Sequence, residues 1–199
     1  DGREVLRFVP GQVVRASPEL TDIRLAAIAR LVRRYHEAVR RFVPPADARW
    51  QHPGEGPILC HNDIAPRNVV FEGDRPIALI DWDLAAPGTP AWDLAHAAWE
   101  SVPLRDDLQC AELGWDPLPD RPRRLRVFMD AYGAGRAGRR GFVGLVVRRA
   151  RATLEGIEDG GRRGDPGLAG LEQRGVPGQI RREITWMERN HDALQAALS

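Results

Sequence analysis

His61, Asp63 and Asn68 stand together in CHNDIAPRNVVF, residues 60–71, and Asp81 follows ten residues past Phe71 in IDWD. The order is H-x-D-x-x-x-x-N, then a second aspartate delivered by an apolar run. Phosphoryl transfer needs these parts: one carboxylate to accept the proton of the attacking hydroxyl, and a second carboxylate with an amide oxygen to hold the magnesium that neutralises the phosphates. A single aspartate in a loop is usually a turn former or a cap. The ordered set on two neighbouring loops is what gives these residues a chemical reading, with Pro66 stiffening the loop between base and ligand.

Such loops need strands to carry them. ILC at residues 58–60 enters the first loop, and NVVF and IALI (residues 77–80) read as two further short strands joined by the turn EGDRP. EVLRFV, residues 4–9, reads as another strand, closed by Pro10-Gly11. Thr21 or Asp22 can cap a helix with Leu25, Ile28, Ala29, Leu31, Val32, Tyr35, His36 and Val39 at helical spacing, ending near Pro44-Pro45. Beyond IDWD no strand signal remains. Helices are expected over 90–101, 122–132, 142–158 and 177–198, with the Arg/Gly-rich patches 133–141 and 160–164 as solvated connections.

A chain of 199 residues, 43% hydrophobic and 29% charged, can bury a proper core. Its net charge of +1 argues against nucleic acid or an acidic membrane as partner. All 29 basic residues are arginine, in keeping with an Arg-favouring codon bias, and there is no lysine. Cys60 and Cys110 form no disulfide framework or zinc pattern, and Cys60, ending an apolar run, is expected as a buried thiol. No apolar run is long enough to span a membrane and no signal layout opens the chain, so a cytoplasmic protein is expected.

HNDIAPRN, IDWD, PAWDLAHAAW and LRFVPG together resemble the aminoglycoside phosphotransferase and choline kinase group, which shares the protein-kinase-like fold. The resemblance covers residues 4–102, and within the group it is similar to the bacterial trifolitoxin-immunity-like branch. It implies an α+β, mainly α fold: a kinase-like C-terminal lobe over residues 12–199, with a hinge strand and remnant of the N-terminal lobe at 1–11. By matching position it implies Asp63 as catalytic base and Asn68 and Asp81 as Mg2+ ligands. Backbone groups around Phe8 and Val9 would meet adenine, with Val70 and Ile80 as its apolar floor. His61 would brace the loop, and Asp93 would tie a helix to it.

The implied activity is transfer of the γ-phosphate of ATP or GTP to a hydroxyl of an aminoglycoside- or choline-like small molecule. The alternative is a binding or immunity protein on a kinase scaffold with weak or lost catalysis. The family's phosphate-covering loop and its lysine lie upstream of the hinge, so a longer protein is expected. Five acids in residues 101–120, Asp106, Asp107, Glu112, Asp116 and Asp120, are read first as a solvated loop, with an acidic wall suited to a polycationic substrate as the second reading. Arg67 is read as solvated, with a phosphate contact as its second reading. Trp82, Trp92, Trp99 and Trp115 are read as core, and His36 as a packed, hydrogen-bonded histidine.

Overall fold

Thr21 starts the first helix by accepting a hydrogen bond from the Arg24 amide at 3.3 Å. That helix, α1 (Asp22–Ala38), turns Leu25, Ile28, Ala29, Val32 and His36 inward. The computed structural model describes residues 7–51 and 54–199. Two small antiparallel sheets follow. One pairs β1 (Ile58–Cys60) with β4 (Ala86–Gly88). The other pairs β2 (Val69–Glu72) with β3 (Arg75–Leu79) across a turn in which Gly73 takes a left-handed φ of 60°. The remainder is helical: α2 (Pro90–Ser101), α3 (Asp107–Glu112), α4 (Arg121–Tyr132), α5 (Arg136–Arg139), α6 (Phe142–Arg162), α7 (Pro166–Gln173), α8 (Val176–Arg189) and α9 (His191–Ala196). The fold is thus α+β and mainly helical.

One apolar core joins these elements. Leu25, Ile28 and Val32 of α1 meet Phe128 and Met129 of α4, while Trp99 of α2, Val146 of α6 and Met187 of α8 continue it. Burial of such side chains stabilises by about 1.5–3 kcal/mol each. The small sheets sit beside α1 and α2, so the loops they carry open onto the helices.

Several expectations are corrected. Residues 4–6 of the expected first strand lie outside the described residues, and residues 7–9 form no strand. Pairing comes later: the Gln12 amide donates to the Phe71 carbonyl at 2.9 Å, and the Phe71 amide to the Gln12 carbonyl at 2.7 Å. Gly11 permits this approach, because a Cβ there would lie 2.5 Å from a Val70 methyl. Strand β4 lacks β-formers; the edge of β1 imposes pairing on Ala-Pro-Gly, and a Cβ on Gly88 would meet Cys60 Sγ at 2.8 Å. The expected helix 177–198 breaks at Asn190, whose side-chain amide donates to the Trp186 carbonyl at 2.8 Å. Helix α6 runs on to Arg162, and α5 lies within the patch read as a connection. Helices α3 and α7 had no expectation; Asp106 and Asp165 cap them. Both cysteines are free and buried.

Candidate active site

Strand β1 runs directly into the loop that carries Asp63, and α2 anchors that loop. Asp93, in the first turn of α2 and fully buried, accepts from the His61 amide at 3.0 Å and the Asn62 amide at 2.8 Å. His36 Nε2 adds a third contact at 3.1 Å, and its Nδ1 pairs with the Tyr132 hydroxyl at 2.9 Å. Burial pushes the Asp93 carboxyl up, but His36 and the two amides outweigh it and hold the group below its ordinary range. Burial also pulls the His61 imidazole down. The Asp63 amide donates to His61 Nδ1 at 3.3 Å, so the other nitrogen carries the proton and donates to the Ile80 carbonyl at 3.1 Å. His61 therefore fastens the first loop to the residue just after β3.

Asn62 takes a left-handed φ of 63°. Its carbonyl accepts from Arg149 Nη2 at 2.8 Å, and its side-chain amide donates to the Leu84 carbonyl at 3.1 Å. The next residue, Asp63, is where the loop becomes chemical. Its Oδ1 accepts from Arg67 at 2.9 Å and lies 3.0 Å from His96 Nε2, and its Oδ2 accepts from Asn68 Nδ2 at 2.8 Å. Burial pushes this carboxyl up, yet His96, Arg67 and Asn68 together bring it below the usual carboxylate range. A carboxylate has about four acceptor positions, so one on Asp63 is uncommitted.

Sheet register sets Asn68 and Asp81 at the adjoining ends of β2 and β3. Val69 pairs with Leu79, and the Ile80 amide donates to the Asn68 carbonyl at 3.0 Å, so Asp81 stands one step beyond the residue opposite Asn68. Asn68 commits its amide nitrogen to Asp63, which leaves its side-chain oxygen as the other donor. Asp81 is exposed and takes a left-handed φ of 65°, a costly conformation that is concentrated at functional sites. Two hard oxygen donors of this kind suit Mg2+, which is held by one or two carboxylates with phosphates and water completing its shell. No cluster of three or more His, Cys, Asp or Glu suited to a metal occurs among the described residues.

Of the residues expected near the nucleotide, Val70 is buried beneath Gly11 and Ile80 is half-buried at the end of β3. Val9 is half-buried and Phe8 is 83% exposed, both ahead of the Gln12 bridge to β2.

On its other side Asp63 borders a cleft of about 1040 Å³ between the loops and helices α2, α6, α7 and α8. None of the five acids of residues 101–120 lines it. Asp106 and Asp120 are helix caps, and Asp107 pairs with Arg121 at 2.7 Å. The charged lining comes instead from Glu55, Asp63, Arg67, Glu100, Arg105, Arg149 and Glu183. Sequence reasoning missed His96, Glu100, Arg149 and Glu183. The first two had a signal: Trp92, His96, Trp99 and Glu100 share one face of α2 at helical spacing. Trp99 is core, as expected, but Trp82 is 40% exposed and lies against the His61 ring at 4.4 Å.

Comparison with known proteins fits this geometry. The chain is 32% identical over 152 residues to the trifolitoxin immunity protein of Rhizobium leguminosarum bv. trifolii, covering 73% of this chain and 58% of that protein. It is 30% identical over 105 residues to an uncharacterized protein of Deinococcus radiodurans, covering 49% of this chain and 30% of the relative. The chain thus spans less than two thirds of the length of either. Residues 2–142, which include both loops, match the model of the phosphotransferase enzyme family (APH), and the chain belongs to that family.

Proposed function

We propose that the protein transfers the γ-phosphate of ATP or GTP to a hydroxyl of a small molecule, with Asp63 as the base. The observation that carries this reading is the Asp63 carboxylate, held ionised by His96, Arg67 and Asn68 beside a cleft, with Asn68 and Asp81 at the adjoining ends of β2 and β3. In the reaction the substrate oxygen forms a bond to the γ-phosphorus and the bond to the nucleoside diphosphate breaks. The hydroxyl proton passes to the remaining acceptor position of Asp63. A loose transition state asks little of the nucleophile, so a base held below the usual carboxylate range is adequate. Asn68 and Asp81 would hold Mg2+, which supplies charge neutralisation at the phosphates. Val70 and Ile80, with the chain around Phe8 and Val9, would take the nucleotide base. The scaffold is read as the helical lobe of a protein-kinase-like fold. No helix among the described residues is long and apolar enough to cross a membrane.

A second reading is a binding or immunity protein with weak or no catalysis. The likeness to the trifolitoxin immunity protein favours it. Phosphate transfer to a panel of hydroxylated metabolites and antibiotics separates the two. Asp63→Asn should lower turnover by roughly 10²- to 10⁴-fold. Turnover that Asp63→Asn leaves unchanged would remove the base assignment, and nucleotide binding without any transfer would favour the second reading.

A further inference from the structure

The wall of the cleft away from Asp63 is apolar. Ile157 of α6, Leu168 and Leu171 of α7, and Val176 and Ile180 of α8 form it. Helix α7 reaches this position because α6 presents glycine beneath it: a Cβ on Gly160 would lie 1.9 Å from a Leu168 methyl. Yet α7 has no fully buried residue, and Leu168, Leu171 and Val176 remain half-buried against the cleft. Apolar surface left in this state in a concavity favours an apolar occupant.

Apart from Glu55, which is exposed, the charges lining the cleft are held by one another or by neighbouring groups. Arg67 bridges Asp63 and Glu100, at 2.9 and 2.8 Å. Arg105 lies 3.6 Å from Glu183, which also accepts from the Trp99 indole at 2.8 Å. Arg149 lies over the Trp92 ring at 5.3 Å and donates to the Asn62 carbonyl. Burial pushes the Glu183 carboxyl up to about 7, which reduces the negative charge further. A polycation would find few uncommitted carboxylates here.

We propose that the cleft takes a hydroxyl compound with an apolar body and at most one charge, its hydroxyl at Asp63 and its hydrocarbon part against Leu168, Leu171 and Val176. Placing the hydroxyl at Asp63 rests on the phosphotransfer reading; the apolar wall does not. The volume of about 1040 Å³ accommodates a ligand of drug-like size.

The test is calorimetric titration with 1-butanol, 1-hexanol and 1-octanol, beside kanamycin, followed by phosphate-transfer assays with the same compounds. Affinity should rise about fourfold per added methylene. Leu171→Asp should flatten that rise in the protein that remains folded, and Leu171→Met should preserve both the rise and the thermal midpoint. Kanamycin binding more tightly than octanol, or no alcohol binding at all, would overturn the inference. So would a dimer in sedimentation that Leu171→Asp dissolves, since the wall would then belong to a second copy. Chain-length-dependent binding without transfer would leave the inference standing and count against phosphotransfer. Transfer to kanamycin alone would do the reverse.

Discussion

Between His61 and Asn68 nearly every polar group is tied, whereas the loop from Asp81 to Ala85 is lightly held. The first loop answers to Asp93, Arg149, His96 and its own Asn68. The second has a turn from the Ala85 amide to the Trp82 carbonyl and the bond from Asn62 to the Leu84 carbonyl, and it leaves Asp81 exposed. Its Trp82 indole donates to the Leu79 carbonyl at 3.1 Å and lies against the His61 ring. A proton acceptor gains from being fixed before substrate arrives, because misplacement costs rate steeply. A metal ligand can remain solvated until the ion and its phosphates bring their own charge. On the phosphotransfer reading, the contrast gives folding weight to the first loop and binding weight to the second.

The largest break in that contrast should come from Asp93→Ala. It strands the buried His61 and Asn62 amides and His36, and should cost about 3 kcal/mol in chemical denaturation. Asp81→Ala, on an exposed turn but at a left-handed φ that alanine tolerates less well than aspartate, should cost about 1 kcal/mol or less. Equal losses in the two variants would erase the distinction.

Acid sharpens it next. Asp63 and Asp93 are both held below the ordinary aspartate value of about 3.9. Their contribution is therefore complete above that value and is lost as pH falls through the lower folded-state values. Stability measured downward from pH 6 should fall most steeply below about pH 4. Asp93→Asn should lose much of the acid-dependent drop. A parent curve that is flat in this range would mean the two carboxylates are not held as described.

A smaller effect is expected at Asn62. Glycine accepts the left-handed backbone there without strain but gives up the bond to Leu84, so Asn62→Gly should destabilise by about 1 kcal/mol or less. A much larger loss would show that the side chain ties the two loops more strongly than one neutral hydrogen bond can.

What the sequence made legible follows from how local each feature is. Helix α2 begins at Pro90 and ends at Ser101, as expected, because Thr89 caps it and proline suits its first turn. The spacing of His61, Asp63 and Asn68 stays within one loop, so a template could read it. The cleft could not be read in this way: Glu183 meets Trp99 across 84 residues. The acids of residues 101–120 read as a possible wall, yet Asp106 and Asp120 cap helices and Asp107 pairs with Arg121, uses that composition cannot separate. Strand β4 was invisible because its pairing comes from β1 and not from its own residues.

The most direct test of the divided site is Mg2+-dependent nucleotide affinity, measured by calorimetry for the parent, Asp63→Asn and Asp81→Ala at one fixed magnesium concentration. Asp63→Asn should bind within about twofold of the parent, since asparagine keeps the shape and the metal donors lie elsewhere. Asp81→Ala should lose the magnesium-dependent component, because a carboxylate balancing phosphate charge is gone. Parent-like magnesium-dependent binding by Asp81→Ala, or its loss in Asp63→Asn, would contradict the account.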